Sequence, residues 1–283
     1  MPLFEIIAIC ILAGAFAGIL SGLLGLGGGL TTVPILSFIL PFAGVPQSRA
    51  MHVALATSLA LMIANTSTAA LARYRQGDLD LRLFLRLATP VAVGAFLGVA
   101  LANQVADLAL RLFFIAFVLF AMARTLRHLH RDANRPEASR EGGAQSSAPP
   151  TLPRDLVMVP YALVTGAVGA LAGGGAATLM VPFLGQAGYS MQVAAAQSAG
   201  LSATIGLFGA VTYAVAGTTV ADMPAGSLGY VYLPALAGLL LGGVVGVPLG
   251  VRIAKGTSDR VLRQGFLGFL AIVLVTMLIS IGH

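Results

Sequence analysis

The chain has 283 residues, of which 58% are apolar and 9% charged, and its mean hydropathy is +0.93. A soluble domain carries about 25% charged residues, so this composition excludes an ordinary water-soluble fold. The net charge of +6 does not indicate nucleic-acid binding, because the basic residues lie between apolar runs and not on one polar face. With Cys10 as the single cysteine, the sequence provides neither a disulfide framework nor a thiolate metal site.

Ten apolar runs follow one another along the chain in two groups of five. A helix needs about 20 apolar residues to cross a bilayer, so we predict an all-α, polytopic transmembrane bundle of eight to ten spans. The N-terminal segment lacks the basic region of a cleaved signal, which favours a retained first span. The runs cover residues 6–24, 30–43, 50–72, 83–103 and 108–126, and then 156–172, 176–188, 191–216, 228–251 and 261–281.

The second and seventh runs are too short to cross a membrane alone. Their 13 or 14 residues give about 20 Å of helix, against a hydrocarbon core of about 30 Å. We predict that both are half-helices, each preceded by a glycine-rich stretch at membrane depth. Such a stretch is tolerated only where protein or a water-filled cavity surrounds it. If each formed a re-entrant hairpin, the number of spans would be eight.

The two groups of runs look like copies of one another. Residues 25–34 read Gly-Leu-Gly-Gly-Gly-Leu-Thr-Thr-Val-Pro and align on their proline with Gly-Gly-Gly-Ala-Ala-Thr-Leu-Met-Val-Pro at 173–182. Collinear matches of this kind indicate duplication of one unit. Four more follow in the same order: Thr57-Ser58 with Gln197-Ser198, Tyr74 and Gly77 with Tyr213 and Gly217, Gly94 and Gly98 with Gly242 and Gly246, and Leu110-Arg111 with Leu262-Arg263.

Charge and composition divide the chain and orient it. Residues 132–155, rich in charge, Ser and Pro, are predicted to form a flexible linker between a first transmembrane repeat at 1–131 and a second at 156–283. If all ten runs cross, fourteen of the sixteen basic residues lie on one side, with Arg49 and Arg111 on the other. Basic residues beside spans stay in the cytoplasm, so the linker is predicted there and both termini outside a bacterial inner membrane. Five crossings per half invert the second copy, as in many transporters.

The glycine-rich stretches predict a binding site for an anion. Glycines allow close approach of a ligand, and the half-helix that follows presents unpaired N–H groups at its positive end. The alternative is that the glycines only pack helices closely. The candidate substrate-binding residues in these stretches are Gly25, Gly27, Gly28, Gly29, Thr31 and Thr32 in the first copy and Gly173, Gly174, Gly175 and Thr178 in the second.

A polar row on the third and eighth runs adds further candidates, namely Thr57, Ser58, Asn65, Gln197 and Ser198. Hydroxyl groups can instead satisfy themselves on preceding helix carbonyls. The amides of Asn65 and Gln197 are expected to face the bundle interior or a cavity, because an amide in hydrocarbon is costly.

Three further charged or titratable residues allow two interpretations each. His52 would suit a proton sensor or relay, although a surface-facing histidine at the interface is the favoured interpretation. Arg111 and its counterpart Arg263 would attract anions toward opposite mouths of the protein, or would simply extend to the membrane surface.

Several motifs are missing from the sequence. No Asp or Glu falls in the middle of an apolar run, which favours an anion over a cation as the solute. No Gly-Lys-Ser/Thr follows Gly29, which argues against ATP-driven pumping, and there is no His-Glu-x-x-His motif. We therefore expect no enzyme activity, no cofactor and no metal.

These motifs together resemble the sulfite exporter TauE/SafE family. The resemblance covers the chain except the linker, and it depends on the order of Gly18–Gly29 with Val33-Pro34, Thr57-Ser58, the second glycine-rich stretch with Val181-Pro182, and the Leu-Arg pairs. It implies a two-repeat carrier that exports sulfite, organosulfonates or related sulfur-containing or carboxylate anions, driven by the proton motive force. A passive anion channel and a non-transporting accessory subunit remain as alternatives. The expected partners are a small anion and the lipid bilayer, and the sequence does not determine the oligomeric state.

Overall fold

The computed structural model describes residues 3–24, 29–133, 155–220, 223–255 and 259–281, which form ten α-helices and one short β-hairpin. The predicted all-α architecture is confirmed, and each helix coincides with one predicted apolar run to within a few residues. The predicted linker lies almost wholly outside the described residues. The helices are α1 (Leu3–Leu24), α2 (Gly29–Ile39), α3 (Ala50–Arg75), α4 (Leu81–Ala102), α5 (Asp107–Ala133), α6 (Asp155–Leu171), α7 (Ala177–Gln186), α8 (Met191–Ala216), α9 (Leu233–Lys255) and α10 (Asp259–Ile281).

The outer surface of the bundle is apolar. Large aliphatic side chains such as Leu12 and Val244 are more than 70% exposed, as expected for helices that face lipid. Five segments among the described residues are long and apolar enough to cross a membrane: Gln47–Arg75, Leu81–Ala102, Asp107–Arg127, Met191–Thr219 and Leu233–Gly250. The chain is therefore a multi-pass membrane protein.

The two predicted half-helices are present, and each is about three residues shorter than its apolar run. α2 has 11 residues and α7 has 10, which corresponds to about 15 Å of helix and half of a membrane core. Each contains a proline, Pro34 in α2 and Pro182 in α7. A proline inside a helix has no N–H for the carbonyl four residues earlier, so each half-helix lacks one internal hydrogen bond.

Helix packing follows the correspondence between the two copies. α1 packs along α9, and the corresponding pair α6 and α4 packs in the same way. These pairs meet backbone to backbone: a Cβ atom on Gly246 would lie 2.1 Å from the Ala15 carbonyl oxygen, and one on Gly94 2.0 Å from that of Leu163. Small residues permit such close contact in membranes. The matched glycines of α4 and α9 therefore serve helix packing.

The centre of the bundle is formed by α3 and α8, which pack on each other and on the two half-helices. Every residue from 50 to 59 in α3 is buried. Before α9 the chain forms a hairpin of β1 (Ser227–Leu228) and β2 (Val231–Tyr232), in which Ser227 pairs with Tyr232 and Leu228 with Val231. This hairpin covers the beginning of α3, and Tyr230 at its turn is buried.

Candidate functional site

The two glycine-rich stretches meet inside the protein. Gly29, the first residue of α2, lies so close to Gly173 that a Cβ atom on Gly29 would be 1.7 Å from the Gly173 carbonyl oxygen. Gly173 lies between α6 and α7 and has φ +57°, a conformation that favours glycine. We call this approach of the two backbones the glycine contact. Because the backbones touch, an anion bound between these two residues requires them to move apart.

A hydroxyl group from α3 holds the first side of the glycine contact. The Oγ atoms of Ser58 and Thr32 are 2.8 Å apart, and the Ser58 hydroxyl also donates to the Gly29 carbonyl oxygen at 3.4 Å. Thr32 donates to the same carbonyl at 3.3 Å. All three residues and the neighbouring Thr31 are buried. The predicted residues Gly29, Thr32 and Ser58 are thus brought together.

A hydroxyl group from α8 holds the second side. The Ala176 N–H, just before α7, donates to Ser202 Oγ at 2.8 Å, and a Cβ atom on Gly175 would lie 2.4 Å from the same Oγ. Ser198, one turn earlier on α8, donates to the Ala194 carbonyl at 2.7 Å. Ser202 is therefore the closer partner of this stretch, although only Ser198 matches a residue of the first copy.

The remaining predicted residues of the two stretches and of α3 have other surroundings. Gly174 packs near Phe117 of α5, and Asn65 is half-buried on the side of α3 that faces α9. Thr178 lies in the first turn of α7. Gly25, Gly27 and Gly28 lie outside the described residues.

Thr57 and Gln197 each hold the beginning of a helix in the opposite repeat. Thr57 Oγ1 accepts a hydrogen bond from the Tyr232 N–H at 3.1 Å, just before α9. Gln197 Nε2 donates to the Asp80 carbonyl oxygen at 2.8 Å, just before α4. The two matched positions of the sequence repeat therefore make matched contacts. The Gln197 Oε1 atom is buried and has no partner among the described residues.

Two cavities lie at opposite ends of α5 in the described part of the chain. One, of about 480 Å³, is lined by Ser48, Arg49, Asn103, Thr219 and Tyr230 among others, and we call it the Arg49 cavity. The other, of about 460 Å³, is lined by Arg124, Arg127, Tyr161, Leu179 and Gln186 among others, and we call it the Arg124 cavity. Each has an arginine in its wall, and no Asp or Glu is among the described lining residues of either.

The glycine contact lies between these cavities in depth. Asp107, at the beginning of α5, contacts Met51 beside the Arg49 cavity, and Arg124 is seventeen residues further along, about 25 Å away. The ring of Phe117, between these two positions, is 3.4 Å from where a Cβ atom on Gly174 would be. The glycine contact therefore lies at a depth between two arginine-bearing cavities.

Arg124 contacts the half-helix α7 directly. One of its Nη atoms donates to the Thr178 carbonyl oxygen in a short contact. That carbonyl loses its usual helical donor because the residue four positions later is Pro182. Tyr161 supports the same turn by donating to the Leu179 carbonyl at 2.8 Å. From sequence Arg124 served only as an indicator of topology. The spacing of Thr178 and Pro182 could have shown a carbonyl in need of a donor, but not which residue provides it.

The structure corrects two interpretations made from sequence. His52 does not face the surface: it is 1% exposed, and its Nε2 atom is 3.1 Å from the Ala102 carbonyl oxygen. Arg111 does not extend to the membrane surface either, because its buried Nε donates to Asp107 Oδ2 at 2.7 Å. Both expectations were wrong: Tyr230 of the hairpin covers His52, and Arg111 pairs with Asp107 one turn earlier on α5. Within the described segments, no three His, Cys, Asp or Glu side chains come together as metal ligands.

An apolar helical bundle with two broken half-helices meeting at its centre is a membrane-transporter architecture. The chain belongs to the sulfite exporter TauE/SafE family, whose model matches residues 10–277. A 28% identical relative from Haemophilus influenzae, named "Probable membrane transporter protein", aligns over 98% of this chain and 100% of its own length. Relatives with similar names from Methanocaldococcus jannaschii and Bacillus subtilis are 23% and 26% identical, over 97% and 90% of this chain and 96% and 92% of theirs. No solved structure matches the chain significantly.

Proposed function

We propose that this membrane transporter is a secondary carrier that exports a small anion across the inner membrane, coupled to the proton motive force. The solute is sulfite, an organosulfonate or a related sulfur-containing or carboxylate anion. The observation that carries the proposal is the pair of arginine-bearing cavities at opposite ends of α5, with the glycine contact between them.

The linings of the cavities support an anionic solute. A guanidinium group presents donors in a geometry that fits sulfonate and carboxylate oxygens. Arg49 is joined in its cavity by Ser48 and Thr219, and Arg124 is joined by Gln186. A cation would meet three arginines and no carboxylate among the described lining residues, which is unfavourable at both ends.

The glycine contact supports a carrier over a channel. Between the two cavities the backbones of Gly29 and Gly173 touch, so the solute passes only when the half-helices move. Half-helices that meet near the midplane are the moving parts of many secondary transporters. A passive channel needs an open path, and the direct contact of the two stretches argues against one in this state.

The distribution of charge supports export. Basic residues beside spans stay in the cytoplasm, which assigns the Arg124 cavity to the inside and the Arg49 cavity to the outside. The membrane potential is negative inside and drives an anion outward by about 2.3 kcal/mol per charge per 100 mV. In this orientation the two repeats are inverted, and residues 132–155 are cytoplasmic.

The proposal is tested with proteoliposomes that contain only this polypeptide and are loaded with labelled sulfite, an alkyl sulfonate or acetate. We expect protein-dependent efflux that saturates with the concentration of at least one of these anions and accelerates with an outside-acid pH gradient. A rate that rises linearly with concentration would support the channel. Absence of efflux for the whole panel would leave the accessory subunit as the better explanation.

A further inference from the structure

A buried histidine lies in the first turn of α3, beside the Arg49 cavity. His52 is 1% exposed, and its Nε2 atom lies 3.1 Å from the Ala102 carbonyl oxygen. A carbonyl oxygen can only accept, so Nε2 carries the hydrogen of this bond. The other ring nitrogen, Nδ1, therefore carries no hydrogen and presents a lone pair when the imidazole is neutral. It is buried and has no hydrogen-bond partner among the described residues.

The atom that faces this lone pair is a carboxylate oxygen. Asp107 Oδ1 lies 3.7 Å from His52 Nδ1 and accepts a hydrogen bond from the Met51 N–H at 2.7 Å. The second oxygen, Oδ2, accepts from Arg111 Nε at 2.7 Å. These bonds favour the ionised carboxylate. A buried lone pair that faces a carboxylate is unfavourable, whereas a protonated Nδ1 could donate to it.

The other groups around His52 connect it to the cavity. Its ring stacks on Tyr230, with centroids 5.4 Å apart and 26° between the planes. The Tyr230 hydroxyl accepts from an Arg49 Nη atom at 3.1 Å and donates to Asn103 Oδ1 at 3.2 Å. Burial raises the pKa of the Tyr230 phenol, although the neighbouring Arg49 opposes the shift, so the phenol is neutral near pH 7. Tyr213 of α8 meets Tyr230 edge to face.

We infer that His52 is the site at which this protein binds the proton that it exchanges for the anion. A proton from the Arg49 cavity adds to Nδ1, which then donates to Asp107 Oδ1, while Nε2 keeps its bond to the Ala102 carbonyl. This inference rests on the proposed function and names the residue that couples it to the proton gradient.

Protonation changes the charge at the end of the protein where the anion leaves. Arg49, Arg111 and Asp107 together carry one net positive charge, and a protonated His52 makes it two. In a buried, low-dielectric region an added charge acts strongly on its neighbours. Protonation of His52 is therefore felt by an anion that occupies the Arg49 cavity.

The experiment measures the number of protons that move per anion. Proteoliposomes carry labelled sulfite and a pH-sensitive dye inside, and both signals are followed after an outside-acid step. The variant His52→Gln keeps an amide donor for the Ala102 carbonyl but has no group that takes up a proton. We expect the ratio of protons to anions to fall about tenfold or more in this variant. The exposed neighbour Gln104 provides the control Gln104→Ala, which is expected to keep the native ratio.

A native ratio in His52→Gln would overturn the inference while leaving the proposed function intact. Absence of anion movement in the native protein would overturn the proposed function instead. A second measurement does not depend on transport: nitrogen NMR of the histidine-labelled native protein, with the His52 signals assigned by their loss in His52→Gln. We expect Nε2–H alone at high pH and a second hydrogen, on Nδ1, when the sample is acidified. A His52 Nδ1 that stays unprotonated on acidification would also refute the proton site.

Discussion

Gly29 and Gly173 bring main-chain atoms of the two repeats into direct contact, and no other residue type fits at Gly29 without movement of the backbone. The atom that would obstruct a side chain at Gly29 is the Gly173 carbonyl oxygen. A main-chain atom cannot rotate away as the end of a flexible side chain can. The glycine at position 29 therefore has a physical reason.

Gly29→Ala is expected to destabilise the protein and to stop transport. The added Cβ would lie 1.7 Å from the Gly173 carbonyl, and overpacking of this kind costs about 1–3 kcal/mol. Thermal melting of the purified protein in detergent measures the effect. The matched control is Gly185→Ala in α7, where a Cβ atom meets nothing within 4 Å. Equal melting temperatures for the two variants would contradict the glycine contact.

Arg124→Gln is expected to weaken both anion transport and the fold. The Thr178 carbonyl loses its donor, and a buried group left without a partner costs about 1–3 kcal/mol. Loss of the guanidinium is expected to raise the KM for the anion at the inner side. Efflux kinetics and thermal melting check both effects against Arg75→Gln, an exposed arginine at the end of α3. If the two variants behaved alike, Arg124 would have no special role.

At the scale of helices, the proline of α7 provides a way to separate the effect of Arg124 on stability from its effect on transport. Pro182→Ala restores the N–H that the Thr178 carbonyl lacks within the helix. We expect this change to recover stability in an Arg124→Gln background without recovering the KM. A double-mutant cycle of melting temperatures measures the coupling. Strictly additive effects would show that Arg124 and Pro182 do not share this carbonyl.

The matched contacts of Thr57 and Gln197 join helices of opposite repeats. Thr57→Val removes the acceptor for the buried Tyr232 N–H, and we expect a loss of about 1–3 kcal/mol. Thr68→Val is the control, because the exposed Thr68 hydroxyl bonds only carbonyls of its own helix. Comparable stability of both variants, again by thermal melting, would mean that the contact to Tyr232 does not support α9.

Helix positions could be predicted from the sequence, whereas these contacts between helices could not. Lipid requires about 20 apolar residues per span, so hydropathy alone located α3, α4, α5 and α8. The hydrogen bond from Gln197 to the Asp80 carbonyl joins residues that are 117 positions apart in the sequence. Because the acceptor is a backbone atom, the residue type at position 80 does not predict it. The burial of His52 depends on the hairpin around Tyr230, which lies within an apolar run that gave no indication of strands.

At the scale of the whole molecule, the orientation in the membrane is a prediction from charge. In a Cys10→Ala background, a cysteine at Ser48 is expected to react with a membrane-impermeant maleimide in intact cells. A cysteine at Gln76, in the turn after α3, is expected to react only after the cells are opened. The opposite pattern would reverse the proposed direction of transport.

The importance of the two glycine-rich stretches could be predicted from the sequence, but the groups that contact them could not. Duplication led to the meeting of the two glycine-rich stretches, because matched elements of inverted repeats approach each other near the midplane. The two cavities depend on how α5 packs beside the half-helices, which no local pattern encodes. Arg124 became a candidate only once its backbone partner was visible.

The closest approach of the two repeats is made by main-chain atoms, which are the same at every position of every protein. A seal of this kind excludes solutes by closeness alone and carries no chemical preference. In the proposed carrier, selection among anions must then reside in the side chains on either side of it. A carrier for a different anion could therefore be engineered on this scaffold by exchanging those side chains while the seal is left untouched.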